Sequence, residues 1–229
     1  MPRRLVLWDI DGTLLRVGEI GAAAFDIALE RVLGRAPFER VTMSGKTDPQ
    51  IVGEYLALMA VEDPTTLPAV LAHLELELAA RRDEIALGGT VCPGIPELLA
   101  RLDTEPSVHQ SLLTGNIAPN ALVKVSAFGL ERFLDLEAGA YGSDHADRRR
   151  LVPIALRRQR ELRGRDLSPS EVWVVGDTPN DLACARAGGA RCLLVGTGRY
   201  GVDELRALGP DAVVADCCAT EEVASLLLA

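Results

Sequence analysis

Through most of the chain, short apolar runs alternate with amphipathic stretches. Strand-like segments stand at 5–8, 108–113, 134–138, 172–175, 192–195 and 212–214, and helical patterns such as GIPELLARL, APNALVKVSAFG, RRLVPIALRRQREL and PNDLACARAG separate them. Strands joined by helix-length crossovers pair in parallel, and a parallel sheet must be covered on both faces. The pattern therefore predicts an α/β fold, a Rossmann-like parallel sheet. In such sheets ligands sit beyond the carboxyl ends of the strands, so the residues that follow each strand meet in one crevice.

One block breaks the alternation. Between residues 16 and 85 three helical patterns follow one another: 22–33, ending at Gly34; a second opening near Pro49 and holding IVGEYLALMA; and a third in LPAVLAHLELELAARRDEI. No strand pattern interrupts them. With 229 residues available, the expected organisation is a core of 1–15 and 86–229 carrying a helical insertion at 16–85.

The residues expected in the crevice are unusual. Asp9 and Asp11 follow the first strand; Thr114, Gly115 and Asn116 follow the second; Gly176, Asp177, Thr178 and then Asp181 follow VWVV. Asp9 and Asp11, two residues apart, lie on one face of an extended chain. Two carboxylates about 4 Å apart repel by roughly 4 kcal/mol at an effective dielectric near 20. A hard divalent cation relieves that, and magnesium, which takes carboxylate oxygens and commonly accompanies phosphate, suits the donor set. A carboxylate is also already ionised at neutral pH, with a reference pKa of about 3.9. A serine nucleophile would need an adjacent base, and no histidine lies in these segments.

DIDGT, LLTGN and GDTPND resemble motifs one, two and four of the haloacid dehalogenase superfamily, in that family's order. The helical block resembles the cap inserted at this place in its phosphoglycolate phosphatase and β-phosphoglucomutase group. The resemblance implies that Asp9 is a nucleophile and Asp11 a general acid and base, with the Asp11 backbone carbonyl on the metal. It implies that Thr114 and the amides around Gly115 and Asn116 bind the phosphoryl group, that Asp9 and Asp177 ligate magnesium, and that Asp181 supports the metal or a basic residue. Members that cleave carbon–halogen bonds lack an aspartate at the place of Asp11, which disfavours that activity here. Motif three normally supplies a lysine or arginine before a helix, and the usual Lys-Pro pair is missing here. SDHADRRRLVPIAL offers Arg148, Arg149 and Arg150 instead, and Arg148, at the helix start after Asp147, is favoured. Arginine grips phosphate as a bidentate fork, so the chemistry survives the exchange.

In SGKTDPQ (44–50) two readings stand. It is an exposed loop and helix start with Thr47 or Asp48 as N-cap, or it is a specificity loop that brings Lys46 to the substrate. Phosphonoacetaldehyde-hydrolysing relatives form an imine on a cap lysine, a role open to Lys46. The leading expectation is a magnesium-dependent phosphatase acting on a small phosphorylated metabolite. Its rivals are phosphonoacetaldehyde hydrolase-like C–P cleavage, a sugar-phosphate mutase, and a non-enzymatic binding module.

Composition narrows the partners. A formal net charge of −9 argues against nucleic acid and against acidic membrane surfaces. The arginines between 148 and 165 fall on a helix with apolar residues at Leu151, Ala155 and Leu162, and read as a solvated face. No apolar run is long enough to span a bilayer, and MPRRLVLWDID does not read as a signal peptide. Five scattered cysteines without zinc-type spacing indicate reduced thiols and a cytoplasmic setting.

Overall fold

The computed structural model describes residues 4–229. Of the core segment expected at 1–15, residues 1–3 lie outside the described residues. The strands are β1 (Arg4–Trp8), β2 (Leu15–Arg16), β3 (Thr90–Val91), β4 (Val108–Leu113), β5 (Asp135–Ala140), β6 (Val172–Gly176), β7 (Arg191–Val195) and β8 (Ala212–Val214). The helices are α1 (Glu19–Leu33), α2 (Asp48–Leu58), α3 (Thr66–Ala80), α4 (Arg82–Gly88), α5 (Ile95–Asp103), α6 (Ala118–Ser126), α7 (Leu151–Arg163), α8 (Pro179–Gly188), α9 (Val202–Ala207) and α10 (Thr220–Leu228).

Six strands form one sheet in the order β5-β4-β1-β6-β7-β8, and every pairing is parallel. Alternation along β1 supplies both faces. Val6 and Trp8 join a core with Leu98, Leu102, Val223 and Leu227 of α5 and α10. Leu5 and Leu7 join a second core with Leu151, Val152, Ala155, Leu182 and Leu205 of α7, α8 and α9. This is the Rossmann-like arrangement that the strand pattern predicts. Leu162, placed with the apolar face of α7 by its spacing, is instead half exposed. Gln159 occupies the buried side there, its amide reaching Ala138 O at 3.4 Å.

Helices α1 to α4 follow one another between β2 and β3. β2 and β3 pair as a two-stranded antiparallel ribbon, Leu15 opposite Val91 and Arg16 opposite Thr90, which strand patterns two residues long could not announce. The third expected helix is two, broken at Arg81, and α4 turns Ile85 into the core. The expected division after residue 85 therefore falls inside a helix. Thr47 is the N-cap of α2, its Oγ accepting from Gln50 N at 3.2 Å, with Pro49 in the first turn. Among the described residues no helix is long and apolar enough to cross a membrane.

Candidate active site

Register brings the polar residues to one level. Trp8 lies beside Leu112 on one side and Val175 on the other. Asp9 follows Trp8, Thr114 lies two residues past Leu112, and Asp177 two past Val175. These three central strands stand where the chain order switches direction across the sheet, the place such folds present a crevice. Gly12, at φ 89, turns the chain back over Asp177, and a Cβ at Gly12 or at Gly198 would strike the Asp177 carboxylate. The two glycines leave that carboxylate a cradle.

The structure brings together Asp9, Asp177 and Asp181, all buried, with one carboxylate oxygen of each within 4.8 Å of the others. Arg148 is buried among them. Its Nη2 lies 3.1 Å from Asp9 Oδ1 and pairs with Asp181 Oδ1. Burial alone would lower the Arg148 pKa, but the Asp181 and Asp9 carboxylates reverse this and raise it. Arg149 pairs with Asp147 at the surface and Arg150 is exposed, so among the three arginines only Arg148 enters the site. His145, which lies close to this segment in sequence, stays at the surface and accepts from the Asp147 amide at 2.9 Å.

One cation among three carboxylates leaves the cluster underneutralised. Burial is the main reason Asp9 is pushed up to about 6, with Arg148 opposing it and Asp181 and Asp11 adding to it. Asp177 is pushed up to about 8, first by burial and then by Asp181 and Asp9. Asp181 is already saturated: Oδ1 takes Arg148, and Oδ2 accepts from Thr178 N at 3.0 Å and Thr178 Oγ at 2.7 Å. Asp177 has only a long bond from Thr13 Oγ, 3.3 Å. A divalent metal fits this donor set, with Asp9 and Asp177 holding spare oxygens and Asp181 orienting Arg148.

A carboxyl whose folded pKa rises from 3.8 to about 8 favours the folded state most when protonated, below its unfolded pKa, and loses that contribution as pH climbs through the window. Without metal, Asp177→Asn is expected to gain stability relative to wild type between pH 4 and pH 8, since the amide does not titrate. Urea unfolding at several pH values measures the difference. A difference that stays flat would mean Asp177 is ionised throughout.

The second group of polar residues is turned differently. Asp11 does not face the trio. Lys124 of α6 lies 2.8 Å from Asp11 Oδ1 and 2.6 Å from Oδ2, and Asn116 Nδ2 donates to Oδ2 at 2.8 Å. Asn116 Nδ2 also donates to Thr114 Oγ at 2.9 Å. Nothing in the sequence reading pointed to Lys124. The available signal was Asn120 and Lys124 at i and i+4 on the otherwise apolar buried face of α6.

SGKTDPQ meets the core directly. Asp48 N donates to Gly115 O at 2.7 Å, Asp48 Oδ2 accepts from Ile117 N at 2.8 Å, and Thr47 Oγ donates to Ala146 O at 2.7 Å. The approach is close enough that a Cβ at Gly115 would overlap the Lys46 carbonyl. Burial pushes Asp48 up to about 6, against the pull of the Lys124 charge. Lys46 itself pairs with Glu54 Oε2 at 2.5 Å. A cavity of about 430 Å³ lies between these parts. Asp9, Asp11, Arg148 and Asp177 line one end, and Val17, Phe25, Met43 and Ile51 of the helical insertion and its flanks line the other.

Residues 6–186 match the family model described as haloacid dehalogenase-like hydrolase. "Probable phosphatase IndB" of Dickeya dadantii is 30% identical over 92% of this chain and 88% of its own. "Phosphoglycolate phosphatase 1" of Pseudomonas aeruginosa is 29% identical over 91% and 74%. A mutant CbbY from Rhodobacter sphaeroides in complex with xylulose-(1,5)bisphosphate has the same fold, with a TM-score of 0.72, 21% identity, and coverage of 94% of this chain and 95% of that one.

Proposed function

The chain belongs to the haloacid dehalogenase-like hydrolases, and from that membership we propose that it is a magnesium-dependent phosphohydrolase removing phosphate from a small phosphomonoester through an aspartyl-phosphate. The observation that carries the proposal is the buried set of Asp9, Asp177 and Asp181 around a single arginine, Arg148, at the carboxyl edge of the sheet. One arginine among three carboxylates leaves the charge balance open to a divalent cation. Magnesium, held by Asp9, Asp177 and the Asp11 carbonyl, would neutralise charge on the phosphoryl group and on the surrounding carboxylates.

The rest is work for the chain's own residues. Asp9 attacks phosphorus in line, its carboxylate oxygen forming the new P–O bond as the bond to the alcohol oxygen breaks. Asp11 gives that oxygen a proton, then takes one from the water that cleaves the aspartyl-phosphate and releases inorganic phosphate. Thr114, with the amides around Gly115 and Asn116, holds the phosphoryl oxygens, and Arg148 stabilises the charge that builds on them. Residues 16–85 act as a cap over a core of 1–15 and 86–229, hinged at the β2–β3 ribbon. The Gly115–Asp48 seam supports this reading, because it joins the helical block to the core at the wall of the cavity. Relatives bearing phosphatase names support a small phosphorylated substrate. Five free cysteines support a cytoplasmic setting.

Lys46 lines the cavity, as an imine-forming lysine would, but its ammonium is held by Glu54 at 2.5 Å. We read it as part of the cavity wall, and C–P cleavage as the weaker alternative. Purified protein is expected to release phosphate from at least one member of a panel of small phosphomonoesters with magnesium, and to stop when EDTA removes the metal. Release that continues in excess EDTA, or no release across the panel, would refute the proposal.

A further inference from the structure

Lys124 is a lysine in a place that costs free energy. Its side chain is 7% exposed, whereas the Asp11 carboxylate it meets is 43% exposed. A half-solvated aspartate needs no buried cation to be stable, and burying an ammonium is unfavourable unless its partners hold it in good geometry. The bonds it makes are specific. An ammonium has three N–H groups, and here they have three acceptors: Asp11 Oδ1 at 2.8 Å, Asp11 Oδ2 at 2.6 Å and Asn116 Oδ1 at 2.7 Å. None is left to bind a phosphoryl oxygen. Asn116, with its oxygen fixed by Lys124, turns its amide nitrogen to Asp11 Oδ2 and Thr114 Oγ, which closes the ring. Asp48 binds the opposite, N-terminal end of α6 through Ile117 N and Asn120 Nδ2, and feels the Lys124 charge without bonding to it.

We propose that Lys124 is the positioning residue for Asp11, holding its carboxyl group, together with the Asn116 amide, so that a proton taken up from solvent on its exposed side can pass to the leaving oxygen. The proposal rests on the phosphohydrolase reading above. Lys124 touches neither phosphorus nor the leaving group in this role. Its effect is confined to the two steps in which Asp11 moves a proton, and kcat/KM reports the first of them, the departure of the leaving oxygen.

That confinement supplies the test. Glycerol 2-phosphate leaves as an alkoxide that must be protonated, whereas p-nitrophenyl phosphate leaves as a phenolate that need not be. In Lys124→Met and Lys124→Gln, kcat/KM for glycerol 2-phosphate is expected to fall about 100-fold, and that for p-nitrophenyl phosphate by less than about tenfold. Lys124→Arg, which keeps charge and donors, is expected to recover most of the loss. Equal losses on both substrates, or no loss on glycerol 2-phosphate, would overturn the proposal. A second measurement needs no turnover. Crystals of Lys124→Met are expected to show the Asp11 carboxylate away from the position it holds in wild-type crystals. An unmoved carboxylate overturns the role of Lys124, whereas wild-type protein that releases phosphate from no member of the phosphomonoester panel overturns the phosphohydrolase reading.

Discussion

Asp9→Asn is expected to abolish magnesium-dependent phosphate release, by about a thousandfold or more, without unfolding the protein. The two halves of this expectation have separate causes. The amide keeps the shape of the side chain but offers no anionic oxygen to phosphorus, so no aspartyl-phosphate can form. It also removes a charge from a buried cluster in which burial already pushes Asp9 up to about 6. Arg148 keeps Asp181 as its partner, so no cation is left alone. Thermal unfolding without metal should therefore show a midpoint no lower than that of wild type. Measuring phosphate release and melting on the same preparation distinguishes loss of chemistry from loss of fold. Substantial activity in this variant would remove Asp9 from the nucleophile's role.

The sheet could be read before it was seen because its signal is local. Each central strand is an apolar run whose last residues give way to Asp, Thr or Gly, and parallel pairing makes those ends coincide. Asp9, Thr114 and Asp177 were found by that rule. Arg148 could be placed relative to Arg149 and Arg150 only by the turn it opens. Asp147 accepts from the Arg149 amide at 3.1 Å, and the short 3-10 turn sends consecutive side chains in different directions. Lys124 and the Asp48 seam were not legible. A lysine in a helix is ordinarily solvated, and whether α6 is covered there depends on how a segment some seventy residues earlier folds back on it, as in the Ile117 to Asp48 bond. The two-residue strands of the ribbon carry no period at all.

Arg148→Met should be the most destabilising single change in the site. The guanidinium is 5% exposed and serves three parts of the molecule: Asp9 Oδ1 at 3.1 Å, Asp181 Oδ1, and Gly45 O of the insertion at 3.3 Å. Removing it leaves buried carboxylates without a counter-charge, a change that typically costs about 3–5 kcal/mol. Part of that cost should return when magnesium is added, because the cation occupies the same field. The variant's melting midpoint should therefore rise more with metal than that of wild type. Arg148→Lys should fall between the two, since one ammonium cannot span Asp9, Asp181 and Gly45 as a planar fork does. Arg149→Met is the control: its partner Asp147 lies at the surface, its side chain is 66% exposed, and its loss should leave the unfolding midpoint unchanged. Denaturant unfolding of the three variants, with and without magnesium, separates these outcomes. Equal destabilisation by Arg148→Met and Arg149→Met would show that the buried arginine does not hold the carboxylates together.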